Sequence, residues 1–101
     1  MLILSEFDLK EYVKRGCAIT WNDPALDEQI EEAKEDLRDI AGGSIDFSKP
    51  GSATRLLKNR VRYERNGVGS LFESDYRSEL LRFQLKQGLK GGAVNDYSSE
   101  N

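Results

Sequence analysis

Histidine is absent from this chain of 101 residues. That removes the side chain that titrates near neutrality, the commonest zinc ligand, and the base of Ser-His and Cys-His nucleophile pairs. Cysteine occurs once, at Cys17, so no intrachain disulfide framework is possible, which fits a reducing cytosol. Lys14 and Arg15 lie close to Cys17 and favour a thiolate. With no histidine and no second cysteine, the expected role is packing rather than catalysis. No apolar run approaches the ~20 residues that a membrane helix needs. Met1 to Leu4 is apolar but too short to read as a signal peptide, and no basic segment precedes it.

What is present suits one small folded domain with a single core. Hydrophobic residues make up 38% and charged residues 33%, a balance that a disordered chain does not show. Net charge is −3, unevenly spread. Residues 1–52 carry 12 acidic and 6 basic side chains, and residues 53–101 carry 6 acidic and 9 basic. Such a chain can pack head to tail, the acidic face of one copy on the basic face of the next. The plainer alternative is that both runs are solvated helix faces.

The pattern predicts an all-α fold, a small bundle of about four helices over residues 1–88, with a flexible C-terminal tail over 89–101. A first helix is expected over 6–15, with Ser5 as N-cap, Asp8 as a weak capping-box partner and Gly16 as the stop. Trp21, in the connector that follows, is expected to close one end of the core. A second helix starts at Asp23-Pro24 and carries Leu26, Ile30, Ala33, Leu37 and Ile40 on one stripe, ending at Gly42-Gly43. Its other faces carry Glu28, Glu31, Glu32 and Glu35 among further acids, which read as a solvated face rather than a metal or two-carboxylate site. Gly42 to Ser52 is a loop whose Ile45 and Phe47 anchor either to the body or to a neighbour.

A third helix, capped by Ser52, is expected over 53–66. Leu57 and Val61 are four apart, flanked by Leu56 and Tyr63, and Arg55, Lys58, Arg60, Arg62 and Arg65 fill most other positions. Asn66-Gly67 stops it. Gly67-Val68-Gly69-Ser70 lacks the Gly-Lys-Ser/Thr ending of a phosphate loop, so it reads as a helix stop and restart. A fourth helix is expected over 70–87, with Ser70 as N-cap and Glu73 at the capping-box position. Phe72, Tyr76, Leu80 and Phe83 form one stripe, and Leu81 and Leu85 an adjacent one. Two stripes are wider than one small core needs, so this helix is expected to meet another chain. The basic helix either touches nucleic-acid phosphates without sequence preference or pairs with the acidic helix of another copy.

Leu56-Leu57, Val61-Arg62-Tyr63 with Asn66, then Phe72, Tyr76, Glu79-Leu80 and Phe83 resemble the C-terminal half of the tailed-phage head–tail connector proteins, also called head-completion or adaptor proteins. The Asp-Pro start of an acidic amphipathic helix after a short first helix is similar too, so the likeness spans roughly residues 5–87. The resemblance implies a ring, commonly of about twelve copies, built by heterologous contacts. That ring docks beneath the portal after DNA packaging, extends the channel for passing double-stranded DNA, and carries the stopper or tail-completion protein. It implies no catalysis, no cofactor, no metal and no membrane, and a location at the head–tail interface of the virion after assembly in the host cytoplasm. It also assigns the portal grip to the C-terminal end, where Val94 and Tyr97 are the candidate anchors. The alternatives are a small helical nucleic-acid-binding regulator or another helical interaction module.

Overall fold

A computed structural model describes residues 7–90 of the chain. Met1 to Leu4, Ser5 and the tail from Gly91, with Val94 and Tyr97, lie outside the described residues. The described part is all-α: α1 (Leu9–Gly16), α2 (Leu26–Ala41), α3 (Ser52–Arg65), a 3-10 turn (Gly69–Leu71), α4 (Phe72–Asp75) and α5 (Arg77–Lys90). Helix α3 is the centre, with α1 and α2 packed on it, and α5 returns to cover α2.

The helix ends follow from local chemistry. At α1 the cap is Asp8, whose Oδ1 accepts from the backbone N–H of Glu11 at 3.1 Å, so the helix starts later than expected. Its other end does not turn at Gly16. Cys17 is the C-cap and Ala18 takes the left-handed conformation, φ 57°. The N–H of Ile19 reaches back to the Lys14 carbonyl at 2.8 Å, and that of Ala18 to the Arg15 carbonyl at 3.3 Å. This is a Schellman closure built on alanine instead of glycine. Helix α3 ends in the same closure on Gly67, φ 77°, with Val68 N–H on the Tyr63 carbonyl at 3.0 Å.

At α2, Asp23 Oδ1 accepts from the Ala25 N–H at 3.0 Å and Pro24-Ala25 forms a turn ahead of the first helical residue. The cap of α3 is Gly51 rather than Ser52. Thr54, fully buried, reaches back to it. Its Oγ1 accepts from the Gly51 N–H and donates to the Gly51 carbonyl, both at 3.0 Å. A buried hydroxyl is thereby satisfied and a helix end closed together.

The core is one cluster. It takes Val13 from α1, Leu26, Ile30, Ala33 and Leu37 from α2, Leu56, Leu57 and Val61 from α3, Phe72 from α4, and Leu80 and Phe83 from α5. Every one of the α2 stripe positions except Ile40, which is half-buried, is buried. Phe47 enters the same cluster and Ile45 packs against it, so the loop before α3 is anchored to its own body.

The last helical segment departs from expectation by breaking in the middle. Tyr76, at φ −107° and ψ 21°, interrupts it between α4 and α5. Neither proline nor glycine causes this. Phe72 and Tyr76 stack with ring centroids 4.8 Å apart, and the edge of Tyr63 meets both rings. Tyr63 also donates its hydroxyl to Asp75 at 2.8 Å, which holds its own ionisation above the usual tyrosine range. These contacts hold α4 against α3. Leu80 and Phe83 belong to the common core, and Gln84 donates to the Ile40 carbonyl at the end of α2 at 2.8 Å. The bend lets one apolar stripe serve both neighbours.

Candidate interaction surface

The five basic residues of α3 separate once the fold places them. Arg60 is half-buried and clamped between α2 and its own helix. Its Nε and Nη2 donate to Asp36 Oδ2 on α2 at 3.1 and 2.8 Å, and its Nη1 to Glu64 at 2.9 Å. Its guanidinium also lies 5.8 Å from the Phe72 ring centroid. Burial alone would weaken its charge, but hydrogen bonds to Glu64 and Asp36 outweigh that and raise its pKa. Arg65 pairs with Asp23 at 2.8 Å and donates to Gln29 at 2.8 Å. The Ala25 N–H and the Arg65 guanidinium together hold the Asp23 carboxyl below the usual carboxylate range. Lys58 lies across α1, its ammonium 5.4 Å from the Tyr12 ring. Arg62 donates to Asn59 and stacks over Tyr63. Arg55 is exposed, with no ion-pair partner among the described residues.

The acidic set stays outward. Glu28, Glu31, Glu32 and Glu35 are all exposed. Glu31 pairs with Lys34 and Glu35 with Arg38, each at 3.2 Å along the same helix. Glu28 and Glu32 have no ion-pair partner among the described residues. The carboxylates of α2 that meet α3 are instead Asp36 on the helix and Asp23 before it, which periodicity alone did not single out. Of the aromatic and aliphatic set, Leu57, Val61, Phe72, Leu80 and Phe83 are buried, and Tyr63 and Tyr76 pack against them.

The open surface lies on the other edge of α3. A groove of about 460 Å³ runs between the start of α3 and α5. Leu56 and Phe83 form its floor, Leu85 one wall, and Arg55, Arg82 and Lys86 its rim, with Glu79 the one acid. None of these three cations has an ion-pair partner among the described residues. Leu85 is 69% exposed and Leu81 55% exposed, so the second stripe of the last helix faces away from the core. Arg82 and Lys86 were not singled out from the sequence. Their signal was available as two cations four apart beside two leucines four apart.

Trp21 is the clearest departure from expectation. It is 54% exposed and outside the core. The preceding Schellman closure buries Ile19 in its place, because the residue after a left-handed turn returns toward the helix it caps. Cys17 is half-buried against the core. Burial pushes its thiol up, outweighing the pull of Arg65, Arg62 and Lys58 on α3, which disfavours the thiolate.

Among the described residues, no cluster of three or more metal-binding side chains is present, and no helix is long and apolar enough to cross a membrane. Comparison with protein-family models, with curated proteins and with solved structures gives no match.

Proposed function

We propose that the chain is a non-catalytic assembly subunit, a head–tail connector. It forms a ring beneath the portal after DNA packaging, extends the DNA channel and offers a platform to stopper or tail proteins. The observation that carries this reading is the outward apolar edge of α5, Leu81 and Leu85, beside a groove lined by three cations and one acid, Glu79. Exposed leucines flanked by unpaired cations suit a protein contact of modest size with a charged rim. Most of the residues that carry the resemblance to connector proteins support it too: Leu56, Leu57, Val61, Phe72, Leu80 and Phe83 share the core, and Tyr63 and Tyr76 pack against it.

The test is electron microscopy of the purified chain mixed with assembled portal rings. The expected result is an added ring of density on the portal. Intact portals that remain bare at saturating chain would overturn the proposal.

The rim of Arg55, Arg82 and Lys86 favours one other reading, non-specific contact with nucleic-acid phosphates. Three phosphate contacts predict duplex binding whose log–log salt slope is about −3. Micromolar duplex binding with that slope, together with bare portals, would favour a nucleic-acid-binding regulator. Copurification with one small protein partner, together with bare portals, would favour another helical interaction module.

A further inference from the structure

We infer that the groove between α3 and α5 receives a second copy of this chain, which inserts Trp21 and lays the Glu28–Glu32 edge of its α2 along the cationic rim. The inference deepens the assembly reading above and rests on it.

Three observations converge. First, the groove is built for a mixed occupant. Its floor is Leu56 and Phe83, its rim Arg55, Arg82 and Lys86 with Glu79 the one acid among them, and about 460 Å³ falls within the ~300–1,000 Å³ typical of binding clefts. It has room for an indole, and guanidinium and ammonium groups at its edge favour an aromatic face.

Second, the chain itself offers that occupant. Trp21 is its one tryptophan and is 54% exposed. It is presented from a fixed turn, since Asp23, two residues on, is held by the Ala25 N–H and by Arg65. Large aromatic side chains of this kind carry most of the energy at protein contacts.

Third, the charges match in sign and spacing. Glu28 and Glu32 are four apart on one helix, and so are Arg82 and Lys86. Each pair therefore spans ~6 Å along its helix. All four lack an ion-pair partner among the described residues. The groove has no α2 residue in its lining. Groove and occupant are thus different surfaces of one copy, and the contact is head to tail, the kind that propagates into a ring or a filament.

Two variants of the full chain test this. Trp21→Ala keeps the groove and loses the anchor. Arg82→Glu/Lys86→Glu keeps the anchor and loses the groove. All three positions are exposed, and circular dichroism checks that each variant is folded. Each alone is expected to be monomeric by sedimentation. Mixed, they are expected to form a one-to-one dimer and nothing larger, because only one complete contact can form. The sole tryptophan in that mixture belongs to the groove-broken chain, so its emission should shift to the blue as the dimer forms. Adding Glu28→Lys/Glu32→Lys to the Arg82→Glu/Lys86→Glu chain should restore its association with itself.

A mixture that stays monomeric up to ~1 mM, or that dimerises with unchanged tryptophan emission, would overturn the inference. That result with portal rings still decorated by the wild-type chain removes this contact alone. A heterodimer that forms while portals stay bare removes the connector proposal and leaves the contact standing.

Discussion

The two edges of helix α3 carry the same kind of side chain and meet opposite surroundings. Along α2, Arg60 and Arg65 meet carboxylates, and each makes two or more hydrogen bonds or ion contacts within the chain. Along α5, Arg55 shares a groove with Arg82 and Lys86 and finds no ion-pair partner among the described residues. The first edge is locally consistent and holds the subunit together. The second sets three cations and one acid, Glu79, around an open apolar floor. Arginine content therefore does not distinguish a paired helix face from an open one. The neighbours of each arginine do.

The comparison can be broken most sharply at Phe72, which is 1% exposed and lies under Arg60. Phe72→Ala should cost about 3–5 kcal/mol in denaturant unfolding, and loosen the α2 edge and the α4–α5 bend together. Next comes the charge clamp. Arg60→Ala should cost about 1–2 kcal/mol, whereas Arg55→Ala should stay within about 0.5 kcal/mol of wild type. A double-mutant cycle with Asp36→Ala should show that much of the Arg60 loss is shared with its partner. Equal losses at Arg55 and Arg60 would erase the distinction between the edges.

Acid titration sharpens the same edge. The folded-state pKa of Asp23 is lowered, first by the Ala25 N–H and then by Arg65. The stability it contributes is complete above the unfolded-state carboxyl value of ~3.9 and is lost as pH falls through the lower folded-state value. Asp23→Asn should therefore flatten the loss of stability below about pH 4 relative to wild type. Urea melts across that range read the difference, and identical curves would show that Asp23 is not so held. A gain rather than a loss is expected at Ala18, which occupies the left-handed region at φ 57°. Ala18→Gly should raise stability by ~0.5–1 kcal/mol, the relief of a strained Cβ less the added freedom of the unfolded chain. The same change should leave association untouched.

Much of the fold was legible because it is written in local patterns. The α2 stripe from Leu26 to Leu37 is buried as its spacing requires. Gly67 ends α3, and Phe72, Leu80 and Phe83 face inward. The bend at Tyr76 was not legible, because neither proline nor glycine marks it and the ring packed against it, Tyr63, comes from another helix. The Arg60 clamp was not legible either, since Asp36 is 24 positions away. Trp21 misled because its composition argues for burial, while the left-handed turn at Ala18 decides which of Ile19 and Trp21 goes inside. For the basic residues, the sequence did not show which would be paired inside the fold: Arg60 and Arg65 meet carboxylates, while Arg55 stays open. It drew attention to the density of arginine on α3, whereas the unpaired cations rim a groove completed by Arg82 and Lys86.

The most direct measurement compares Arg60→Glu with Arg82→Glu, following thermal unfolding and sedimentation for both. Arg60→Glu should lose stability, because it sets a third carboxylate beside Asp36 and Glu64. Arg82→Glu should melt like wild type and lack the concentration-dependent association that the head-to-tail contact predicts for the wild-type chain. An Arg82→Glu chain that unfolds early, or an Arg60→Glu chain that keeps its stability and fails only to associate, would contradict the division of labour between the two edges of α3.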